Sequence, residues 1–178
     1  MKYFNLGILS LVFFCLLSCK KEQKTQTLNN LPKTTHYYFI RHAEKDTSDD
    51  SNHNPHLTLI GKQRAKKWSL LFGDVAFNAV YSTNYHRTKE TATPVALKNN
   101  LKLTMYNPNS FQLSNFLSDT EGKNILIVGH SNTTPKLVND IIKVSNYETI
   151  SENTYDIWFK VSIIDGKISH QKSVMPSL

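Results

Sequence analysis

The chain predicts a three-layer α/β/α sandwich, a mostly parallel sheet with antiparallel edge strands and a C-terminal β-hairpin. Three observations carry this reading. Short apolar runs without polar interruption, Tyr37 to Ile40, Ala79 to Tyr81 and Ile125 to Val128, read as strands covered on both faces. Between them lie stretches with helical spacing of apolar residues, the alternation that builds α/β layers. The tail has another character: Tyr155 to Ile164 largely alternates, and Asp165-Gly166 is a hairpin turn before Lys167-Ile168-Ser169-His170.

The amino terminus does not belong to that sandwich. Lys2 precedes the apolar run Leu6 to Leu17, which is short for a membrane span and has the form of a signal peptide. Leu16-Leu17-Ser18-Cys19 resembles a bacterial lipobox, with Cys19 acylated after cleavage. The organisation expected is therefore a lipoprotein signal peptide at 1–18, a flexible tether at 19–34 and one domain at 35–178. Cys15 leaves with the signal and Cys19 is consumed by lipid, so the mature chain holds no thiol and no disulfide. Each buried CH₂ of an acyl chain contributes about 0.8 kcal/mol, and several chains on one cysteine give long-lived anchoring. Lys20 is not the Asp that marks inner-membrane retention in some bacteria, which makes the outer membrane, periplasmic or surface facing, the expected address.

The elements of the domain follow in order. After the first strand, Glu44 to His56 is a polar loop with Asp46, Asp49 and Asp50, long enough to form a rim. Thr58 caps the next helix, whose inner face carries Ala65, Trp68, Leu71 and Phe72, while Lys62, Arg64, Lys66 and Lys67 read as a solvated face. Val75 to Tyr81 supplies the second strand, and Tyr85 to Leu97 a helix that Pro94 kinks or ends. Leu101 to Met105 is a short strand and Phe111 to Leu117 a short helix. Gly122-Lys123-Asn124 turns into the Ile125 strand, and Pro135 falls in the first turn of the helix after Asn132, where a missing N–H costs nothing.

At 178 residues, 39% hydrophobic and 20% charged, the chain suits one domain with its own core. The formal charge of +7 is spread over the tether and helix faces with no basic stripe of interleaved aromatics, which excludes nucleic-acid binding and favours anionic substrates or an anionic membrane.

Ligand sites in parallel sheets form at the carboxyl ends of strands. There the chain sets Arg41-His42 after the first strand, Ser82-Thr83-Asn84-Tyr85-His86-Arg87-Thr88 after the second, and Gly129-His130-Ser131-Asn132 after the third long apolar run. Three strand ends thus supply Arg41, His42, Arg87 and His130, two cations and two imidazoles suited to an anion. In this order, and with Leu57-Thr58-Leu59-Ile60-Gly61-Lys62-Gln63-Arg64-Ala65 between them, the segment from His36 to Val144 resembles the histidine phosphatase superfamily, the phosphoglycerate-mutase-like group. Its members carry Arg-His-Gly/Ala, Ser-x-x-x-x-Arg-Thr and a late Gly-His. The chain lacks room for the inserted segments of the mutases and is most similar to the small phosphatases of the SixA type.

The resemblance implies a metal-independent phosphatase acting on phosphomonoesters or phosphoramidates through a phosphohistidine on His42, with no cofactor. Arg41 and Arg87 would clamp the equatorial oxygens with forked donors. Two neighbouring cations disfavour a protonated His42 and leave it a lone pair. His130 would work protonated, donating to a phosphoryl oxygen, and Ser131 and Asn132 would add donors at a helix amino terminus. The acid that protonates the leaving group has no clear bearer: Tyr106-Asn107-Pro108-Asn109 offers amides, and Glu44, with Asp46 behind it, is the nearest carboxylate in sequence. Partners expected are a small phosphorylated substrate or phosphoprotein and the membrane reached through Cys19, with the protein a monomer.

Other classes fit less well. Gly129-His130-Ser131-Asn132-Thr133 lacks the second glycine of a nucleophile elbow. His53-Asn54-Pro55-His56 suggests a metal, but no Cys or converging carboxylate accompanies it in sequence, so no metal is expected. A lipid-anchored phosphate-binding module with little turnover is the alternative, favoured by the missing acid and opposed by the nucleophile beside Arg41.

Overall fold

The computed structural model describes residues 33–176. The signal-peptide and lipidation readings, Cys19 included, and all of the tether before residue 33 lie outside the described residues. Among those described, no helix is long and apolar enough to cross a membrane.

The apolar run at Tyr37 forms the core of β1 (Thr34–Arg41). The remaining strands are β2 (Ala79–Ser82), β3 (Leu103–Met105), β4 (Asn124–Gly129), β5 (Ile157–Ile164) and β6 (Lys167–Val174). They form one sheet in the order β3-β2-β4-β1-β5-β6. β1 pairs parallel with β4, β4 with β2 and β2 with β3, whereas β5 runs antiparallel to β1 and β6 to β5. The mostly parallel sheet and the terminal hairpin are thus as the sequence predicts. Register sets Arg41 opposite Gly129 and Ser82 opposite Val128, so β1, β2 and β4 run out at one edge. His42, Thr83 and His130 follow side by side.

The helices are α1 (Leu59–Leu71), α2 (His86–Lys98), α3 (Leu113–Asp119) and α4 (Thr133–Ile142). Successive β1 side chains point to opposite faces. Tyr38 and Ile40 pack with Trp68, Phe72, Val95 and Val128 on one side, and Tyr37 and Phe39 with Phe116, Val138, Ile141 and Ile127 on the other. Both faces of the central strands are therefore dry, which is why these strands read as unbroken apolar runs.

Thr58 caps α1 as expected, its Oγ1 accepting from the Gly61 N–H at 3.0 Å. Gly61 has a second task. A Cβ there would stand 2.3 Å from the Glu44 carbonyl, because the chain leaving β1 crosses the start of α1 at this point. The crossing is tied down where Thr58 N–H donates to that same carbonyl at 2.9 Å.

Several local readings need correction. Leu71 is exposed because the helix ends beside it, while the cap residue Phe72 turns inward as expected. Pro94 does not end α2, which runs to Lys98, because Thr91, Ala92, Val95 and Ala96 are buried around it and hold that turn in place. The second strand starts at Ala79 rather than Val75, since Phe77 N–H is taken by Asn99 Oδ1 rather than by a neighbouring strand. Arg64 leaves the solvated face of α1 to pair with Glu44.

Candidate active site

At the carboxyl edge of the sheet, His42, Lys45, Tyr85, Arg87, Pro108, His130, Ser131, Asn132, Thr133 and Glu152 line a cavity of roughly 440 Å³. Of the predicted site residues, His42, Arg87, His130, Ser131 and Asn132 line it directly, and Arg41 reaches it through its ion pair with Glu152. Glu44 is elsewhere.

His42 is buried, and its Nδ1 lies 2.8 Å from the carbonyl of Ala43. A carbonyl only accepts, so Nδ1 carries the proton and Nε2 is left with the lone pair. Burial pulls this imidazole down to about 3, and Arg41, Arg87 and His130 push the same way against the Ala43 hydrogen bond. His42 is therefore neutral at any ordinary pH.

His130 stands with its ring centroid 5.5 Å from that of His42, and its Nε2 lies 2.9 Å from Thr83 Oγ1. Its expected protonated state does not hold in the free site. Burial, then Arg87 and Arg41, bring it down to about 4, so it is neutral until an anion enters and offsets those cations. Gly129, just before it, allows close packing: a Cβ there would meet Thr134 Oγ1 at 2.8 Å and Tyr106 Oη at 2.9 Å.

The two arginines differ. Arg41 is almost wholly buried and bound to one loop, donating from Nη1 to the carbonyls of Ser151 at 2.8 Å and Thr154 at 3.1 Å, and from Nη2 to Glu152 at 2.5 Å. Tyr155 covers its guanidinium at 4.5 Å. Arg87 lies over the ring of Tyr85 at 4.4 Å, and its Nε and Nη1 are buried without a hydrogen-bond partner among the described residues. Unpaired buried donors are costly. Two on one guanidinium in a cavity mark where an anion belongs.

Ser131 and Asn132 sit where β4 gives way to α4. The Asn132 side chain caps the helix by accepting from Thr133 N–H at 2.8 Å, so it organises the turn through Oδ1. Thr133 Oγ1 in turn accepts from the His130 N–H at 3.1 Å.

The carboxylate in the cavity is one the sequence reasoning missed. Burial by itself would raise the pKa of Glu44, but Arg64 grips it through Nε at 2.9 Å and Nη2 at 2.6 Å and holds it below its ordinary value, out of the cavity. Asp46 is exposed and bound to the Ser48 N–H. Glu152 instead lines the cavity, and its carboxyl is held down by Ser131 and Arg41. No local signal marks it, because Ser151-Glu152-Asn153-Thr154 is an ordinary polar turn whose relation to Arg41 exists only in the fold. The reading of His53 to His56 also changes: His56 meets His86 and Glu90, so a carboxylate does converge there.

With this geometry in view, likenesses to other proteins take on meaning. Residues 37–107 match the family model of the histidine phosphatase superfamily (branch 1), a stretch that includes Arg41, His42 and Arg87. The protein histidine phosphatase SixA, solved with tungstate, superposes with a TM-score of 0.61 at 14% identity, over 78% of this chain and 96% of that one. A mutant phosphoserine phosphatase from Entamoeba histolytica in complex with phosphoserine gives 0.60 at 14% identity, over 79% and 96%. A mycobacterial glucosyl-3-phosphoglycerate phosphatase gives 0.58 at 12% identity, over 80% and 98%. No curated protein sequence matches the chain. At such identities the superpositions speak for the fold alone. The match to the family model covers the strand end that bears His42 and the helix start that bears Arg87, and over that stretch the chain is similar to the histidine phosphatase superfamily.

Proposed function

We propose that the chain hydrolyses phosphomonoesters or phosphoramidates through a phosphohistidine on His42 Nε2, with its own side chains supplying all the catalytic charge. The observation that carries this reading is the proton on His42 Nδ1, fixed by the Ala43 carbonyl, which frees Nε2 in a residue that lines the same cavity as Arg87. The Nε2 lone pair attacks phosphorus in line, the P–O or P–N bond to the leaving group breaks, and Arg41, Arg87 and His130 bind the equatorial oxygens. Water then attacks the phosphohistidine and releases inorganic phosphate.

Glu152 supplies the proton to the leaving group. In the free site its carboxylate occupies Arg41. A phosphoryl dianion takes over that contact, and the displaced carboxylate, now beside negative charge and without its cation, gains proton affinity. The same dianion raises the proton affinity of His130, which then donates to a phosphoryl oxygen. The protein acts as a monomer tethered to the outer membrane by lipid on Cys19, toward small phosphorylated molecules or phosphoproteins of the envelope.

Hydrolysis of p-nitrophenyl phosphate by the full chain in detergent, with chelator present, tests the reading. Turnover should persist in chelator and disappear in His42→Ala, with phosphate still binding to the variant. Turnover near the wild-type rate in that variant would remove His42 as nucleophile.

A further inference from the structure

We propose that His56, His86 and Glu90 form a site for a divalent transition cation of the zinc type, between the 44–56 loop and α2 and independent of the chemistry at His42. One ring nitrogen from each imidazole and one carboxylate oxygen all lie within 4.8 Å of one another. His86 and Glu90 are four residues apart on α2 and share a face. His56 comes from the polar loop, its ring stacked on that of His86 with centroids 4.0 Å apart. Two imidazoles and one carboxylate suit Zn²⁺ better than Mg²⁺ or Ca²⁺ and leave a position for water. In a tetrahedral zinc site, bonds of about 2.1 Å set donors about 3.4 Å apart, so small rotations of three partly exposed side chains would close it.

The backbone around these residues distinguishes the cluster from a chance surface meeting. Asn54 Oδ1 accepts from the His86 N–H at 2.9 Å, and the Leu57 N–H donates to Glu90 Oε2 at 2.8 Å. The chain on each side of His56 is thus fastened to α2, one clip at each helical ligand. The second clip also holds one oxygen of Glu90 and leaves Oε1 to meet His56 Nδ1. Outer hydrogen bonds of this kind orient metal ligands. On binding, the His56 proton moves from Nδ1 to Nε2, and Nδ1 and Oε1 turn from each other to the cation. The ion would pin that loop to the start of α2, one residue from Arg87.

The test uses the full chain in detergent, stripped with chelator and then titrated with Zn²⁺ by calorimetry and with Co²⁺ by visible absorption. One saturable equivalent of Zn²⁺, a tetrahedral Co²⁺ spectrum and a rise in melting temperature are expected. His56→Ala, His86→Ala and Glu90→Gln should each weaken binding by at least about 10-fold. His53→Ala and His42→Ala should bind as the parent does. Glu90→Gln keeps an acceptor for the Leu57 N–H, so its loss of binding reports ligation rather than folding. Absence of saturable binding, or binding undiminished in His86→Ala, would overturn the proposal. So would loss of the ion in His42→Ala, which would assign it to the catalytic cavity.

Discussion

Arg41 and Arg87 serve the same cavity in opposite conditions. Arg41 spends its Nη1 and Nη2 donors on the 151–154 loop and Glu152 and leaves Nε without a partner among the described residues, whereas Arg87 leaves both Nε and Nη1 unpaired there. The first is a structural cation that a substrate must share with a resident carboxylate. The second is held ready, at a cost in stability, by the stacking of its guanidinium on Tyr85. One anion-binding arm is thus gated and the other open, a division that two identical residue types do not disclose.

Replacing each arginine breaks the comparison most sharply. Arg87→Ala should cut kcat/KM by about 100-fold or more, as loss of a charge-stabilising donor does, without lowering the melting temperature. Arg41→Ala should lose as much activity and also about 3 kcal/mol of stability, because the Ser151 and Thr154 carbonyls lose their donor. Calorimetric melting beside steady-state kinetics separates the two. Equal melting temperatures for the two variants would mean that Arg41 has no structural duty.

Glu152→Gln sharpens the gating. Inorganic phosphate should bind several-fold more tightly, since the resident charge is gone, yet an alkyl phosphate should turn over about 100-fold more slowly for want of an acid. The loss on p-nitrophenyl phosphate, a better leaving group, should be smaller. Competition by phosphate and rates on the two substrates measure both arms.

A smaller effect follows from the imidazoles that both arginines face. His42 and His130 are lowered to about 3 and about 4, against an ordinary value of 6.5, so the unfolded chain binds protons that the folded one refuses. Stability contributed by these groups is present above pH 6.5 and is lost progressively as pH falls toward 4. Urea midpoints should therefore drop between pH 7 and pH 5, and His130→Gln should flatten that drop. The smallest effect is expected at the α1 cap, which does not line the cavity, where Thr58→Ala should cost about 1 kcal/mol and leave kcat unchanged.

What could be read in advance divides along physical lines. The strands at Tyr37, Ala79 and Ile125 were legible because a strand dry on both faces must be apolar throughout. Their carboxyl ends were legible as the site for the same reason, since the first polar residues beyond such strands face the sheet edge. Arg41 ends β1, His42 and His130 follow β1 and β4, and Arg87 lies in the first turn of α2, just after the turn that leaves β2. Leu71 was misread, and the choice between a kink and an end at Pro94 stayed open, because helix ends and proline tolerance depend on packing that no local window contains. Glu44 was misread because nearness in sequence to His42 says nothing of where a side chain turns, and Arg64, twenty residues on, takes it away.

By itself, then, the chain determined its layers and its edge of chemistry, because alternation and burial are local consequences of backbone periodicity. Only the tertiary structure decided that Glu152 answers Arg41, that Arg87 waits unpaired, and that His56 meets His86 and Glu90. Those relations join residues about thirty to one hundred and ten positions apart, and pairing over such distances is set by how the layers pack.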